Sequence, residues 1–365
     1  MYMKSNNLNS IFIKKYRALK DVDLNKLSKI NVFVGHNNSG KTSILEAIQL
    51  ISNPFSAVVV RRIAQQRESN RKLFLRAFDL EDYLYWLFPH DDNQTGEINI
   101  EYKIDNSQEE VKFELQEILY ESLFDEIDIL ENSEDIIERE LTINVTRGEE
   151  NRLLQFSDIG RKNIDRLEEK MIESLFSNSY ISASDHKAMP ISANQIGKII
   201  LKNKKQDFIE LIRMFDQNIE EIEVVPKEIK GFKDNRVINE IYIKYYNNHE
   251  LLPMFVFGDG LQKIMLVASK IIGSENGVLL IDEVETGIHT ELLPRYFEWL
   301  YKLAEENNVV LFLTTHSLEA VDGIINSSKN LDHFSFYRLG KDTVKYFSGE
   351  KIYSLRNDFG QDVRY

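Results

Sequence analysis

The sequence predicts an α/β fold, a mixed sheet flanked by helices and interrupted by an inserted helix-rich, acidic lobe. Three observations carry that prediction. Short apolar runs alternate with helical periodicities in two separate stretches of the 365 residues, the order expected of a sheet covered on both faces. A glycine-rich loop joins one such run to one such helix. The long segment between the two stretches has a different composition.

The first stretch opens with Ile11-Phe12-Ile13-Lys14-Lys15-Tyr16 and Ile30-Asn31-Val32-Phe33-Val34, both read as strands. Ile44, Leu45, Ala47, Ile48 and Ile51 then recur at helical spacing. The second stretch begins near Ile238, with strands at Ile241 to Tyr246 and Phe255-Val256-Phe257, a helix from Leu261 to about Ile272 and the strand Val278-Leu279-Leu280-Ile281. An amphipathic helix over about Glu291 to Glu306, the strand Val309 to Leu313 and a helix after Ser317 complete it. The expected division is a core of residues 1–55 and 236–350, a lobe or arm of residues 56–235, and a C-terminal tail of residues 351–365. Strand candidates inside the lobe are Ile98 to Ile104, Leu141 to Val145 and Tyr180 to Ser182.

Composition excludes several chemistries. The chain has no cysteine, so it has no disulfide, no thiolate zinc site and no cysteine nucleophile, which fits a reducing, cytoplasmic setting. No apolar stretch approaches the roughly 20 residues of a membrane-spanning helix, and a soluble protein without a membrane partner is expected. The net charge of -14 is concentrated: residues 108–150 hold 15 acidic and 3 basic side chains. That segment reads most simply as a solvated helical arm, or more sharply as a docking surface for a basic protein.

Gly35-His36-Asn37-Asn38-Ser39-Gly40-Lys41-Thr42 fits G-x-x-x-x-G-K-[ST] between a strand and a helix. Glycines let the backbone curl so that N–H groups point at phosphate oxygens, and the helix N-terminus adds partial positive charge. Gly35, Asn37, Asn38, Ser39, Gly40, Lys41, Thr42 and Ser43 are therefore the candidate triphosphate-binding residues, with Lys41 reaching the β and γ phosphates and Thr42 ligating Mg²⁺. Asp282 and Glu283 follow an apolar strand. Two carboxylates there are costly unless a cation or a reaction uses them. Asp282 suits the metal and Glu283 suits polarising an attacking water.

Phe257-Gly258-Asp259-Gly260 opens a helix 22 residues before Asp282; its glycines allow another backbone close to a phosphate, although an isolated glycine turn has the same composition. Lys263 either adds charge there or is a surface lysine. Glu285-Thr286-Gly287-Ile288-His289 follows the acids, and His316, in Thr314-Thr315-His316-Ser317, ends an apolar strand. His316 is expected to hold the γ phosphate and the water in line. His289 stays open between a role and none, and the remaining histidines are read as having none.

This order of motifs resembles the ABC-type ATPases of the RecF, SMC and OLD (overcoming lysogenisation defect) group, and the opening through Ile48 is similar to OLD-like ATPases of bacterial antiphage systems. The likeness covers residues 10–52 and 238–340. It implies ATP and Mg²⁺ as cofactors, and a homodimer or higher oligomer in which Gly258, Asp259 and Gly260 cap the nucleotide of a second copy. Gly258 stands where the family's signature has a serine, and Asp259 adds a negative charge. The family's metal-linking glutamine is not placed; Gln49, Gln65 and Gln195 are candidates.

Many OLD-like proteins carry a nuclease domain, whereas 18 residues follow Phe347 here, so a separate effector, a nuclease or a toxin, is expected. Arg61, Arg62, Arg67, Arg71, Lys72 and Arg76 line a probable helix. They suit DNA phosphates in a RecF-like repair factor, or equally a solvated face or an acidic protein. A transporter ATPase fits poorly, because 217 residues separate Lys41 from Gly258.

Overall fold

The computed structural model describes residues 8–66, 80–91, 94–121, 137–156, 174–188, 191–213, 215–229, 236–246, 248–341 and 343–364. Its strands are β1 (Leu8–Tyr16), β2 (Leu19–Leu24), β3 (Ile30–Gly35), β4 (His90–Asp91), β5 (Gln94–Thr95), β6 (Ile98–Ile104), β7 (Ser107–Glu121), β8 (Ile137–Arg147), β9 (Glu150–Gln155), β10 (Asn178–Ile181), β11 (Ile219–Ile229), β12 (Arg236–Tyr245), β13 (Asn248–Pro253), β14 (Val278–Ile281), β15 (Val310–Thr315), β16 (Phe334–Leu339) and β17 (Val344–Ser348). The helices are α1 (Lys41–Ser52), α2 (Ala57–Gln65), α3 (Leu80–Tyr85), α4 (Asp185–Ala188), α5 (Ala193–Leu201), α6 (Lys205–Arg213), α7 (Asp259–Gly273), α8 (Leu293–Glu306), α9 (Leu318–Ile325) and α10 (Gly349–Tyr353).

The central sheet runs β10-β14-β15-β3-β16-β17. Its first five strands are parallel and β17 is antiparallel at the edge. The buried runs of β3, β14 and β15 lack hydrophobic alternation because both faces of this sheet are covered. Val32, Val34, Leu279, Ile281, Leu311 and Leu313 face one apolar layer with α7, α8 and α9. Phe33, Val278, Leu280, Val310 and Phe312 face the other, with α1 and the second sheet. Side chains two apart thus share a face, as a strand requires.

The second sheet is antiparallel, β2-β1-β6-β7-β8-β9. It joins the opening strands to residues 98–155 of the expected lobe, and β10 places residues 178–181 in the central sheet, paired with β14. Residues 56–235 therefore contribute to both sheets. A third sheet is β11-β12-β13.

Two expectations need correction. The described residues of the acidic segment, 108–121 and 137–150, lie mostly in two long paired strands, β7 and β8, instead of a helical arm. Val111 and Phe113 are buried while Lys112 and Glu114 face outward, and that two-residue period outweighs charge density in setting the structure. Phe255 is not in a strand: Met254–Val256 form a 3₁₀ turn, with Phe255 72 % and Val256 54 % exposed. The final residues also pack against the core. Ile352 and Val363 are buried, Arg356 forms a double contact with Asp322 at 2.6 and 2.8 Å, and Arg364 Nη1 donates to the His316 carbonyl at 3.0 Å.

Parallel strands put their carboxyl ends at one edge of the sheet, where open α/β folds place ligands. Gly35, Ile281, Thr315 and Ile181 all lie at such ends, so the loops that follow them meet.

Candidate nucleotide site

The loop between β3 and α1 is shaped by its backbone. Gly40 has φ +92°, and a Cβ there would stand 2.4 Å from Leu19 Cδ2; Asn38 also has a left-handed φ of +63°, a region asparagine tolerates. No side chain caps α1, which leaves its N-terminus oriented toward an anion. Gly40→Ala combines backbone strain of about 1–3 kcal/mol with overlap on Leu19. It is expected to weaken nucleotide binding by about tenfold or more, a factor worth roughly 1.4 kcal/mol, as measured by titration with a fluorescent ATP analogue.

Lys41 is buried, and its ammonium donates to the carbonyls of Gly35 (2.8 Å) and His36 (2.7 Å), spanning the loop. Burial holds its pKa below the usual lysine value, opposed by the carboxylates of Asp282, Glu283 and Glu285. Thr42 Oγ1 donates to Asp282 Oδ2 at 2.9 Å, joining two motifs 240 residues apart. A hydroxyl and a carboxylate oxygen so placed are the hard oxygen donors that Mg²⁺ takes alongside phosphate and water.

Thr314 fixes both acids. Its hydroxyl donates to Asp282 Oδ1 at 2.5 Å and accepts from the Glu283 amide at 2.8 Å. Glu283 has φ +46°, a strained conformation for a non-glycine residue. Thr286 Oγ1 donates to Glu283 Oε2 at 3.1 Å. Glu285 accepts from Thr315 Oγ1 at 2.8 Å and from the His316 amide at 3.3 Å, with His316 Nδ1 3.5 Å from the same oxygen. The His316 ring is about half exposed.

The cleft beside the loop is lined by Asn37, Asn38, Gly40, Lys41, Thr42, Ser43, Asp282 and Glu283, together with Arg17, Gln66, Tyr180 and Ser182. Arg17 Nε lies 2.8 Å from Glu46 Oε2. Among the described residues Gln66, rather than Gln49, Gln65 or Gln195, is the glutamine that lines the cleft. Its amide exchanges hydrogen bonds with Gln49 at 2.9 and 3.3 Å. Gln65 is exposed, and Gln195 forms the N-terminal capping box of α5 with Ser192.

Gly258, Asp259, Gly260 and His316 do not line this cleft. Gly258 precedes α7, and Asp259 pairs with Lys187 at 2.7 Å, which holds its carboxyl below the ordinary value. Lys263 is completely buried, so its reading as a surface lysine is corrected. His289 is exposed. Of the six cations read along a helix, Arg61 and Arg62 lie on α2, while Arg67, Arg71, Lys72 and Arg76 are outside the described residues. No helix among the described residues is long and apolar enough to cross a membrane.

A triphosphate loop, a glycine turn, a strand-end acid pair and a strand-end histidine, in this order along one chain with a central parallel sheet, define an ABC-type P-loop ATPase. Residues 30–322 match the family described as "AAA domain, putative AbiEii toxin, Type IV TA system", and the chain belongs to that family. It is 23 % identical to an "ATP/GTP phosphatase" of Helicobacter pylori over 342 residues, 86 % of each chain. A DNA replication and repair protein RecF of Coxiella burnetii is 32 % identical over 74 residues, 20 % of this chain and 21 % of that one. Among solved structures, an SMC head bound to the C-terminal winged-helix domain of ScpA aligns at 13 % identity and TM-score 0.48, covering 93 % of this chain and 97 % of that one.

Proposed function

We propose that two copies of the chain close head to tail over two ATP–Mg²⁺ complexes, and that hydrolysis reopens them. The observation that carries this reading is the split of the site. The phosphate loop, Asp282 and Glu283 border one cleft, whereas Gly258, Asp259 and Gly260 of the same chain lie outside it, available to a neighbour. The exposed Phe255 and Val256 beside that turn supply apolar surface to such a contact.

Within the cleft, Lys41 and the α1 N-terminus neutralise phosphate charge. Thr42 and Asp282 hold the Mg²⁺, which supplies further charge neutralisation when bound. Glu283 takes the proton of the attacking water, and His316, which stands outside the cleft and is steadied by Glu285, orients the γ phosphate once the second copy closes over it. Gln66 and Arg17 are additional nucleotide contacts.

Trans capping is tested by complementation between two inactive chains. Lys41→Ala is expected to abolish nucleotide binding. Gly258→Glu, at a position where an added Cβ meets no atom within 4 Å, sets a carboxylate against the neighbour's phosphate. Mixing them leaves one intact composite site in each mixed dimer, so ATPase activity is expected to rise above that of either variant alone, to at most about a quarter of wild type, since half the dimers are mixed and each carries one of two sites. A mixture as inactive as its components refutes trans capping.

The cycle is further proposed to control a separate effector, a nuclease or a toxin, in antiphage defence in the cytoplasm. The family's description as a putative toxin of a toxin–antitoxin system supports a place in such a two-component system. The RecF segment matched above supports a second reading, ATP-gated duplex DNA binding. It predicts salt-dependent, ATP-stimulated DNA affinity that falls when Arg61 and Arg62 are neutralised.

A further inference from the structure

Behind Asp282 and Glu283 lies a group of buried polar atoms that phosphate chemistry does not use. Lys263, one turn into α7, has relative exposure 0 %, and its Nζ has no hydrogen-bond partner among the described residues. The same holds for both ring nitrogens of His186, for Glu285 Oε2 and for the Tyr296 hydroxyl. They share one electrostatic neighbourhood. The Lys263 ammonium is pushed down to about 8 by burial, against the attraction of Asp185, Glu285, Asp282 and Glu283. Burial and then Lys263 lower the His186 pKa, and Glu285 adds to the effect of burial in raising that of Tyr296.

Close packing joins this group to the glycine turn. A Cβ on Gly260 would stand 3.3 Å from the Gly287 carbonyl, and one on Gly287 would stand 3.0 Å from His186 Nε2. Next to His186, Lys187 pairs with Asp259 at 2.7 Å. The turn that caps a neighbour, the helix that carries Lys263 and the loop that carries Glu283 and Glu285 therefore have no slack between them. An unpaired buried ammonium is expensive, and this one stands where the capping helix passes the hydrolytic acids.

We infer that Lys263 is a positioning residue coupling the Gly258–Gly260 turn to the Glu285–His316 arm of its own chain, so that capping the neighbour's nucleotide readies the capping chain's own site. The inference rests on the head-to-tail reading. Displacement of the turn moves α7 against the Gly287 loop and carries with it the buried ammonium that Glu285 attracts, and the Oε1 of Glu285 accepts from the His316 amide. Hydrolysis at the two sites is then cooperative.

The test is Lys263→Met in the full chain, with steady-state ATPase against ATP concentration and sedimentation with ATP and Mg²⁺. KM is expected to stay within about threefold and kcat to fall about tenfold, in the range of typical coupling between sites. The Hill coefficient is expected to drop from near 2 in the wild type to near 1. A variant that dimerises with an unchanged Hill coefficient overturns the inference, since lost packing alone lowers activity without altering cooperativity. Lys187→Met cuts the exposed pair with Asp259 and is expected to lower the Hill coefficient in the same direction. If Lys263→Met does not fold, an unchanged coefficient in this second variant overturns the inference. Failure of wild type to dimerise with ATP overturns the head-to-tail reading itself and is visible in the sedimentation runs.

Discussion

Glu283→Gln is expected to lower ATP turnover by about 10²–10⁴-fold, the usual contribution of a positioned general base, while ATP affinity stays within about threefold. Gln keeps the size of Glu and an oxygen to accept from Thr286 Oγ1, and the Thr314 hydroxyl still accepts the backbone amide. The left-handed backbone at φ +46° is therefore held as before. What disappears is the ability to take a proton. Asp282, which joins Thr42 to Thr314, is untouched, so metal and triphosphate remain bound. The variant should accumulate as an ATP-loaded dimer in sedimentation, with phosphate release close to background. Turnover within about threefold of wild type would show that Glu283 is not the base. Loss of ATP binding would mean that its charge holds the metal.

The parts of this site that share a local pattern were legible in the sequence. Gly35 to Thr42 needs only neighbouring residues to specify a strand, a curled loop and a helix, and Asp282-Glu283 needs only the apolar run before it. The parts set by register were not. Thr314 reaches both acids because β15 pairs in parallel with β14, Ile281 opposite Leu313, and one strand alone does not display that pairing. Tyr180-Ile181 belongs to a four-residue strand that begins with Asn178 and Ser179, too short and too polar to be read as the edge of the central sheet. Gln66 follows α2 and lines the cleft itself, held there by Gln49 of α1, a pairing that neither helix alone displays.

Lys263 and His186 illustrate a different limit. A lysine one turn into a helix ordinarily extends into water, and a lone histidine is ordinarily satisfied. Tertiary packing removes both from solvent, with the Gly287 loop close against His186. The misread of Phe255 has the reverse cause. Three apolar residues in a row have the length of a short strand, but two of them face outward because the chain turns there to begin α7.

Lys263→Met is also expected to make the chain more stable at pH 7 by about 3 kcal/mol. The lysine pKa falls from 10.5 to about 8 on folding, and each pKa unit corresponds to about 1.36 kcal/mol. Below about pH 8 the lysine is protonated in both folded and unfolded chains, and the full cost of burying the ammonium is present. Between about pH 8 and 10.5 the folded chain has released the proton while the unfolded chain retains it. Wild-type stability therefore rises with pH across that window. The methionine variant has no such proton, so its advantage should be largest near pH 7 and shrink as pH approaches 10. Chemical denaturation of both chains at pH 7 and near pH 10 measures this. A variant less stable than wild type at pH 7 would show that Lys263 has a partner in solution. A gain in stability together with a loss of cooperative turnover would separate the two roles of the residue: a charge that opposes folding would be the one that links capping to hydrolysis.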